Sequence, residues 1–290
     1  MNVRRRHPVS RLWFIINAVG QKFAADNGFF LSSALAFNLL LYFIPLSLLM
    51  ISLLGYTVLD SEHAMREVQS VLQAFLPRSQ EALAENIAEV LANRGLLGAA
   101  GFVSFLIFST FLFGSVRTVL NRVFDVHKER SLVHGFWVDF LMMSSTATLL
   151  FVAIGAGWFL TAAETLGKEF PVWRPLLQPG FQFMGKMIGP AATTSLLFVL
   201  YRFAPAKTAS LWAMVVASIA GTVLFQLAKW GFGWYADIAQ RNIELYGALA
   251  GLLFLFMWLY YASVVFIIGA EIGWAYDLER LADDSHRKCR

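Results

Sequence analysis

Residues 27–59 read NGFFLSSALAFNLLLYFIPLSLLMISLLGYTVL, a stretch of 33 residues without one ionisable side chain. Four more uncharged runs of 21 to 26 residues follow it, at 95–116, 140–163, 208–228 and 245–270. A helix rises about 1.5 Å per residue, so about 20 apolar residues cross a hydrocarbon core of about 30 Å. Each run is therefore long enough to span a membrane as an α-helix.

The composition also indicates a membrane protein. Hydrophobic residues make up 58% and charged residues 14% of the 290 residues, and the mean hydropathy is +0.61, which exceeds the balance of a soluble domain. The net charge is +4, but the 23 Lys and Arg residues are spread over loops and tails, so nucleic-acid binding is not expected. The single cysteine, Cys289, provides neither a disulfide framework nor a cysteine-based metal site, and we expect no cofactor.

A sixth span is predicted at 182–203, although it is shorter than the others. Only 15 uncharged residues lie between Lys186 and Arg202, which corresponds to about 22 Å of helix. The helix must therefore tilt little, extend its flanking cations to the interfaces, or begin earlier near Phe181. It also contains Gly189-Pro190, from which we predict a break in the helix.

The distribution of Lys and Arg indicates how the spans are oriented. If the connections alternate between the two sides of the membrane, one side receives fourteen cations and the other seven. The first group is Arg4, Arg5, Arg6, Arg11, Lys22, Arg122, Lys128, Arg130, Arg202, Lys207, Arg280, Arg287, Lys288 and Arg290. By the positive-inside rule both termini then lie in the cytoplasm and the number of crossings is even. The predicted fold is all-α, an integral membrane bundle of six transmembrane helices.

The chain is predicted to have three parts. Residues 1–26 form a cytoplasmic basic tail with an interfacial amphipathic helix, for which a signal peptide is the alternative interpretation. Residues 27–276 form the transmembrane domain, and residues 277–290 form a polar cytoplasmic tail. The spans are expected at about 29–57, 96–121, 137–163, 182–203, 209–235 and 246–272.

The longest polar stretch, residues 60–94, lies between the first two spans and outside the cytoplasm by the cation count. Two apolar stripes at helical spacing, within 65–76 and 83–91, are separated by Pro77, which predicts an amphipathic helical hairpin. Such a hairpin packs on the outer ends of the bundle, or serves as a lid or a docking surface for an envelope protein partner.

Every ionisable side chain lies at or near the end of an uncharged run, which disfavours a proton relay deep in the membrane. Three charges from three different spans nevertheless reach a similar depth near the cytoplasmic interface: Arg117, Asp139 and Glu271. They are predicted either to form an interhelical ion pair or to line a polar vestibule in which Arg117 contacts an anionic headgroup.

Mild polar groups within the spans complete the predicted site. These groups are predicted either to form hydrogen bonds between neighbouring helices or to contact a substrate. Pro45 removes one backbone hydrogen bond in the first span and predicts a kink, which serves packing or acts as a hinge. The candidate substrate-binding residues are Asn38, Tyr42, Pro45, Arg117, Asn121, Asp139, Thr193, Thr194, Gln226 and Glu271.

Signatures of soluble enzymes are missing from the sequence. There is no G-x-S-x-G, no His-Glu-x-x-His and no P-loop, and the five histidines are scattered through polar segments or their edges. We therefore expect neither a catalytic residue nor a metal site, and the chain is predicted not to be an enzyme.

Several segments resemble the YihY/BrkB family of bacterial inner-membrane proteins. They are 33–38 (SALAFN), 43–46 (FIPL), 53–55 (LLG), 119–126 (VLNRVFDV), 258–260 (WLY) and 269–271 (GAE). The resemblance implies a six-helix protein of the bacterial inner membrane. Some members have carried the label of ribonuclease or serum-resistance factor, and a role in moving lipids has been proposed for the family. The ribonuclease label fits this sequence poorly, because it has no acidic metal cluster and no basic soluble domain.

The functional prediction is a transporter or flippase-like protein for a lipid or amphipathic envelope compound, with membrane lipids as its partners. An interior without deep charge, a short fourth span and an outer amphipathic hairpin suit a mostly apolar substrate with a polar head. The alternative is a non-transporting scaffold or assembly factor in envelope integrity, which would bind its partner through the hairpin at 60–94.

Overall fold

The computed structural model describes residues 8–58, 94–126, 132–167, 174–207, 209–240 and 247–288. All regular secondary structure in these ranges is α-helical. The helices are α1 (Pro8–Ala25), α2 (Gly28–Val58), α3 (Arg94–Val123), α4 (Leu132–Gly167), α5 (Arg174–Phe203), α6 (Leu211–Gln240) and α7 (Gly247–Lys288). Helices α2 to α7 are long and apolar enough to cross a membrane, so the predicted all-α class with six long apolar helices is confirmed. Apart from Arg94, the predicted hairpin at 60–94 lies outside the described residues.

Helix α5 differs from its prediction in two respects. It begins at Arg174 and has 30 residues, which removes the difficulty of a span that is too short. It is also continuous through Gly189-Pro190, so the predicted break is wrong. The Oγ1 atoms of Thr193 and Thr194 donate to the carbonyls of Gly189 and Pro190 at 3.0 and 2.9 Å, the bond to the carbonyl one turn earlier that threonine commonly makes within a helix.

The turn between α1 and α2 depends on two local features. Asn27 has a positive φ of 57°, a conformation that asparagine tolerates, and its carbonyl accepts the first hydrogen bonds of α2 from Phe30 and Leu31. Gly28 follows, where a Cβ would overlap the ring of Phe23. Phe23 in turn packs edge-on against Phe29, with ring centroids 4.9 Å apart. These contacts shape the turn and the first residues of α2.

The end of α3 is a Schellman motif. Asp125 has a φ of 52°, its N–H donates to the carbonyl of Arg122 at 3.2 Å, and the N–H of Val126 donates to the carbonyl of Asn121 at 2.8 Å. The motif closes the helix and holds the side chain of Asp125 just beyond its last turn.

The chain divides into two compact units. Unit 1 comprises Met1–Leu31, Val116–Leu227 and Val264–Arg290, and unit 2 comprises Ser32–Ser115 and Ala228–Ser263. The described core of unit 1 includes the fully buried residues Leu120, Met142, Tyr201, Met214 and Ile267. In unit 2, buried side chains include Leu35, Ala36, Leu112 and Phe113.

Within unit 1, helices α6 and α7 approach each other closely through small residues. Ala217 and Gly221, four residues apart on α6, face Gly269 and Gly273, four residues apart on α7. A Cβ placed on Gly269 would lie 3.0 Å from the Cα of Gly221. Small residues at this spacing are typical of helix pairs in membranes, where close backbone contact replaces the hydrophobic effect as the source of association.

Tyr201 of α5 closes this contact. Its side chain is fully buried, and its hydroxyl donates to the carbonyl of Phe266 on α7 at 2.8 Å. The same hydroxyl oxygen lies 2.7 Å from the position of a Cβ on Gly269. The glycine therefore leaves the space that the tyrosine hydroxyl occupies, and α7 is held in place by both α5 and α6.

The large apolar side chains of the described helices are frequently exposed. Phe151 and Phe159 on α4 and Trp230 on α6 are among the most exposed of them. Soluble monomers rarely expose so much apolar surface, whereas acyl chains solvate it well.

Candidate functional site

Unit 1 contains a group of interacting polar side chains at the ends of α1 and α3 and within α7, here called the Lys22 cluster. Its members are Lys22, Asp26, Arg122, Asp125 and Trp274. The Nζ atom of Lys22 lies 3.0 Å from Oδ2 of Asp26 and 2.5 Å from Oδ1 of Asp125. The ammonium group therefore joins the end of α1 to the turn that follows α3.

Two further contacts extend the Lys22 cluster. Trp274 of α7 donates from Nε1 to Oδ2 of Asp125 at 3.0 Å, and its ring centroid lies 4.9 Å from Nζ of Lys22. Arg122 places Nε 3.3 Å from Oδ1 of Asp26. Because three helices contribute, the cluster fixes the positions of their ends relative to one another.

Burial differs across the Lys22 cluster. The side chains of Lys22 and Asp26 are almost fully buried, whereas that of Asp125 is 51% exposed and that of Arg122 is 60% exposed. Removing one partner of a buried pair leaves an uncompensated charge and is costly, whereas an exposed pair contributes little. Most of the stabilisation from the cluster is therefore expected from Lys22 and Asp26.

Lys22 has an altered acidity. Burial alone lowers the pKa of Lys22, but hydrogen bonds and Coulombic attraction to Asp125 and Asp26 outweigh it and raise the pKa above the ordinary 10.5. A raised lysine pKa means that the ammonium form stabilises the folded chain below the unfolded pKa, and that this contribution is lost as pH rises through the folded value. The Lys22 side chain is therefore an ammonium at neutral pH.

Glu271 lies beside the Lys22 cluster and has an unusual environment. Its side chain is 0% exposed, and neither carboxylate oxygen has a hydrogen-bond partner among the residues that the structure describes. Asp26 and Lys22 are the charged groups that act on it electrostatically. Glu271 is two residues from both Gly269 and Gly273, so it lies on a different face of α7 from the glycines that contact α6.

Arg117 and Asp139 form a second polar site, here called the Arg117 site. Nη2 of Arg117 on α3 lies 3.5 Å from Oδ2 of Asp139 on α4, and the Arg117 side chain is 22% exposed. A Cβ on Gly135 would overlap Nη1 of Arg117, so the glycine lets the guanidinium lie directly on the backbone of α4. Of the three charged residues that the sequence placed at similar depth, the structure therefore pairs Arg117 with Asp139. The third, Glu271, lies near Lys22 and Asp26 instead.

Three exposed aromatic residues of α4 neighbour Gly135 and Asp139 in the sequence. Phe136, Trp137 and Phe140 lie on α4 next to Gly135 and Asp139, and all three are exposed. Their rings contact in series, with centroids 6.5 Å apart for Phe136 and Trp137 and 6.3 Å apart for Trp137 and Phe140. Exposed aromatic residues beside a cation are typical of the membrane–water interface.

Asn121 makes a structural contact. Its Oδ1 atom accepts a hydrogen bond from the N–H of Ala206 at 2.8 Å, which joins the end of α3 to the connection between α5 and α6. Oδ1 of Asp277 accepts a bond from the N–H of Ser210 in the same connection at 3.2 Å. A side-chain bond to the backbone is sufficient to explain why a polar residue is buried at Asn121.

The remaining predicted site residues are distributed over both units. In unit 1, Thr194 shares a hydrogen bond with Thr222 of α6 at 2.9 Å, and Gln226 is half-buried on α6. Three predicted residues lie in unit 2. Asn38 donates to Oγ of Ser115 at 2.8 Å, the Tyr42 ring lies 5.3 Å from that of Phe105, and Pro45 is buried within α2. Thr194 and Asn38 thus make the interhelical bonds that were one of the two predicted roles.

The sequence analysis did not select any of the five members of the Lys22 cluster as site residues. Lys22 and Asp26 are four residues apart on one helical face, a spacing at which opposite charges pair. That spacing was a usable signal, but it does not reveal that the pair is buried. The contacts of Asp125 depend on the turn after α3 and could not be read from spacing alone.

A metal site is not indicated in the part of the chain that the structure describes. No group of three or more His, Cys, Asp or Glu side chains there is arranged to hold a metal ion. The charged groups instead pair with one another, and their arrangement suits recognition of a charged group by Arg117 or exchange of a proton at Glu271.

Comparisons with known proteins agree with the membrane assignment. Residues 19–290 match a family model described as Virulence factor BrkB. A UPF0761 membrane protein of Pseudoalteromonas atlantica is 25% identical over 238 residues, which cover 80% of this chain and 77% of that protein. The UPF0761 membrane protein VP0125 of Vibrio parahaemolyticus is 26% identical over 263 residues, covering 85% and 79% of the two chains. No solved structure matches.

Proposed function

As this multi-pass membrane protein belongs to the BrkB family, we propose that it moves a lipid or an amphipathic envelope compound between the leaflets of the bacterial inner membrane. The membrane lipids are then both its solvent and its substrate. The proposal includes no covalent step, so the protein acts as a transporter and not as an enzyme.

The Arg117 site is the observation that carries this proposal. A guanidinium group has five N–H donors and binds phosphate or carboxylate in a planar, bidentate manner. Its 3.5 Å separation from Asp139 is longer than a direct hydrogen bond, so the carboxylate orients the guanidinium and leaves donors for a further anion. Its partial exposure makes it accessible to a headgroup.

The surroundings of Arg117 suit the other half of an amphipathic molecule. Phe136 and Phe140, which follow Gly135 and Asp139 in the sequence, present exposed aromatic surface on α4, against which acyl chains can pack. An anionic headgroup on Arg117 and an acyl chain on α4 would therefore be bound at the same time. This combination favours a lipid over a small water-soluble anion.

The orientation of the Arg117 site follows from the cation count. The end of the bundle that carries Lys22, Arg122 and Arg202 belongs to the side with fourteen Lys and Arg residues, which the positive-inside rule places in the cytoplasm. We therefore propose that substrate is taken up from or delivered to the cytoplasmic leaflet at Arg117.

Reconstitution of the full chain into vesicles with labelled phospholipids tests the proposal. We expect protein-dependent movement of label between leaflets, and we expect Arg117→Gln to slow the movement of anionic lipids by at least about tenfold, because a charge-assisted hydrogen bond contributes about 1.5–3 kcal/mol. Lys186→Gln is the matched control, since Lys186 is an exposed cation on α5 outside the Arg117 site.

Two results would contradict the proposal. Vesicles with and without the protein could move every envelope lipid tried at the same rate, which would leave the non-transporting scaffold as the better explanation. Alternatively, Arg117→Gln and Lys186→Gln could slow anionic lipids equally, which would mean that Arg117 contributes only to the general surface charge.

A further inference from the structure

The charges of the Lys22 cluster balance without Glu271. Two cations, Lys22 and Arg122, pair with two carboxylates, Asp26 and Asp125, in the contacts described above. Glu271 lies next to this neutral group, is 0% exposed, and has no hydrogen-bond partner for either oxygen among the described residues. If Glu271 were ionised, the buried group would carry one uncompensated negative charge. A neutral carboxylic acid removes that charge, since burying an unpaired ionised carboxylate is far more costly than burying the neutral acid.

We propose that Glu271 is a proton-binding site, which holds a proton in the state described by the structure and releases it when the helices around it rearrange. The O–H bond on the Glu271 carboxyl is broken on release, and the proton passes to water that reaches the site as it opens. Protonation requires no metal, oxidant or further reactant.

Among the described residues, few charged groups lie near Glu271, and these groups determine the electrostatic environment of its carboxyl group. From α1 and the turn after it, Lys22 and Asp26 act on it directly. From α3, Arg122 and Asp125 act through their pairs with those two residues. Helix α6 contributes small uncharged side chains to its contact with α7, and α5 contributes the neutral Tyr201 at that contact.

Loss of the proton has a defined structural consequence. An ionised Glu271 attracts the Lys22 ammonium, which at present contacts Asp26 and Asp125, and it repels Asp26. The contact between α1 and the end of α3 is therefore weakened when Glu271 is ionised. The proton site controls whether α1 is held in the Lys22 cluster.

Coupling of this site to lipid movement rests on the proposed function. Because the Lys22 cluster and the Arg117 site both use α3, a change in the position of that helix reaches both. In that case proton release at Glu271 alternates with headgroup binding at Arg117, and the rate of lipid movement depends on pH.

Infrared difference spectroscopy of the full chain in lipid bilayers tests the proton site without any transport measurement. We expect a band from a protonated buried carboxyl group at neutral pH, lost in Glu271→Gln and retained in Glu279→Gln, a control on the same helix. An unchanged band in Glu271→Gln, or no such band in the unaltered chain, would overturn the proposal.

Thermal unfolding provides a second test, because glutamine has the shape and neutrality of the protonated acid. We expect Glu271→Gln to unfold at the same temperature as the unaltered chain near neutral pH. A clear gain of stability in Glu271→Gln would mean that the folded, unaltered chain holds an ionised and uncompensated Glu271, and the proton site would be wrong. If the infrared and unfolding results agree with expectation but the rate of lipid movement does not depend on pH, only the coupling to the proposed function fails.

Discussion

The close contact between α6 and α7 makes Gly269→Ala the sharpest structural prediction. The added methyl group would lie 2.7 Å from the hydroxyl oxygen of Tyr201 and 3.0 Å from the Cα of Gly221. The second of these atoms belongs to a helix backbone, so it cannot move aside as the end of a flexible side chain can. We therefore expect α6 and α7 to be forced apart.

The magnitude follows from three contributions. Overpacking of a well-packed core costs about 1–3 kcal/mol. Displacement of Tyr201 from the carbonyl of Phe266 loses a hydrogen bond with a net contribution of about 0.5–1.5 kcal/mol. Alanine is favoured over glycine in a helix interior by about 0.8–1.0 kcal/mol, which offsets part of the loss. The expected net destabilisation is about 2 kcal/mol, or roughly a thirtyfold change in the ratio of folded to unfolded protein.

Equilibrium unfolding in mixed micelles, followed by tryptophan fluorescence, measures this change. Gly231→Ala on α6 is the matched control, because a Cβ there has no atom within 4 Å other than its local helix backbone, and we expect it to be neutral or slightly stabilising. If Gly269→Ala unfolds no more easily than Gly231→Ala, the close approach of the two helices at this position is refuted.

Three further predictions concern the charged end of unit 1. Asp26→Asn should destabilise the fold by about 3 kcal/mol in the same unfolding assay. The reason is that it leaves the buried Lys22 ammonium and the Arg122 guanidinium without their shared carboxylate. An effect equal to that of an exposed surface substitution would contradict this prediction. An unfolding series between pH 9 and 12 should show stability that is retained to about pH 10.5 and falls above it, with the fall absent in Lys22→Met. Asn121→Ala should cost about 1–3 kcal/mol, since the Ala206 N–H loses its acceptor, and normal stability of this variant would show that water replaces the side chain.

The helices could largely be predicted from the sequence, because hydrophobic length is a local property of the chain. The uncharged run from 27 to 59 became α2, and the other runs lie within α3, α4, α6 and α7, apart from a few residues at their ends. The start of α5 at Arg174 was not predicted, since helix formation there continues through residues that a hydropathy count places outside the membrane. Its continuity through Pro190 was not predicted either, because a proline within a membrane span can be accommodated without ending the helix.

The charged contacts were predicted less completely. Arg117 and Asp139 were placed together because both lie near the ends of uncharged runs at a similar depth, and the structure pairs them. The neighbours of Glu271 were not found, because they come from α1, a helix that precedes the apolar spans and whose docking depends on tertiary contacts. Depth along a span can be read from sequence, but the helix that a side chain faces cannot.

The length of α7 has a practical consequence. A helix of 42 residues extends for about 63 Å, twice the thickness of the hydrocarbon core, so a large part of it stands clear of the acyl chains. Cys289 follows the last described residue of this helix and is the only cysteine in the chain, so a fluorophore or spin label attached there needs no engineered background. Such a probe sits eighteen positions beyond Glu271 on the same chain segment, where it can register rotation or tilting of the helix in the native protein.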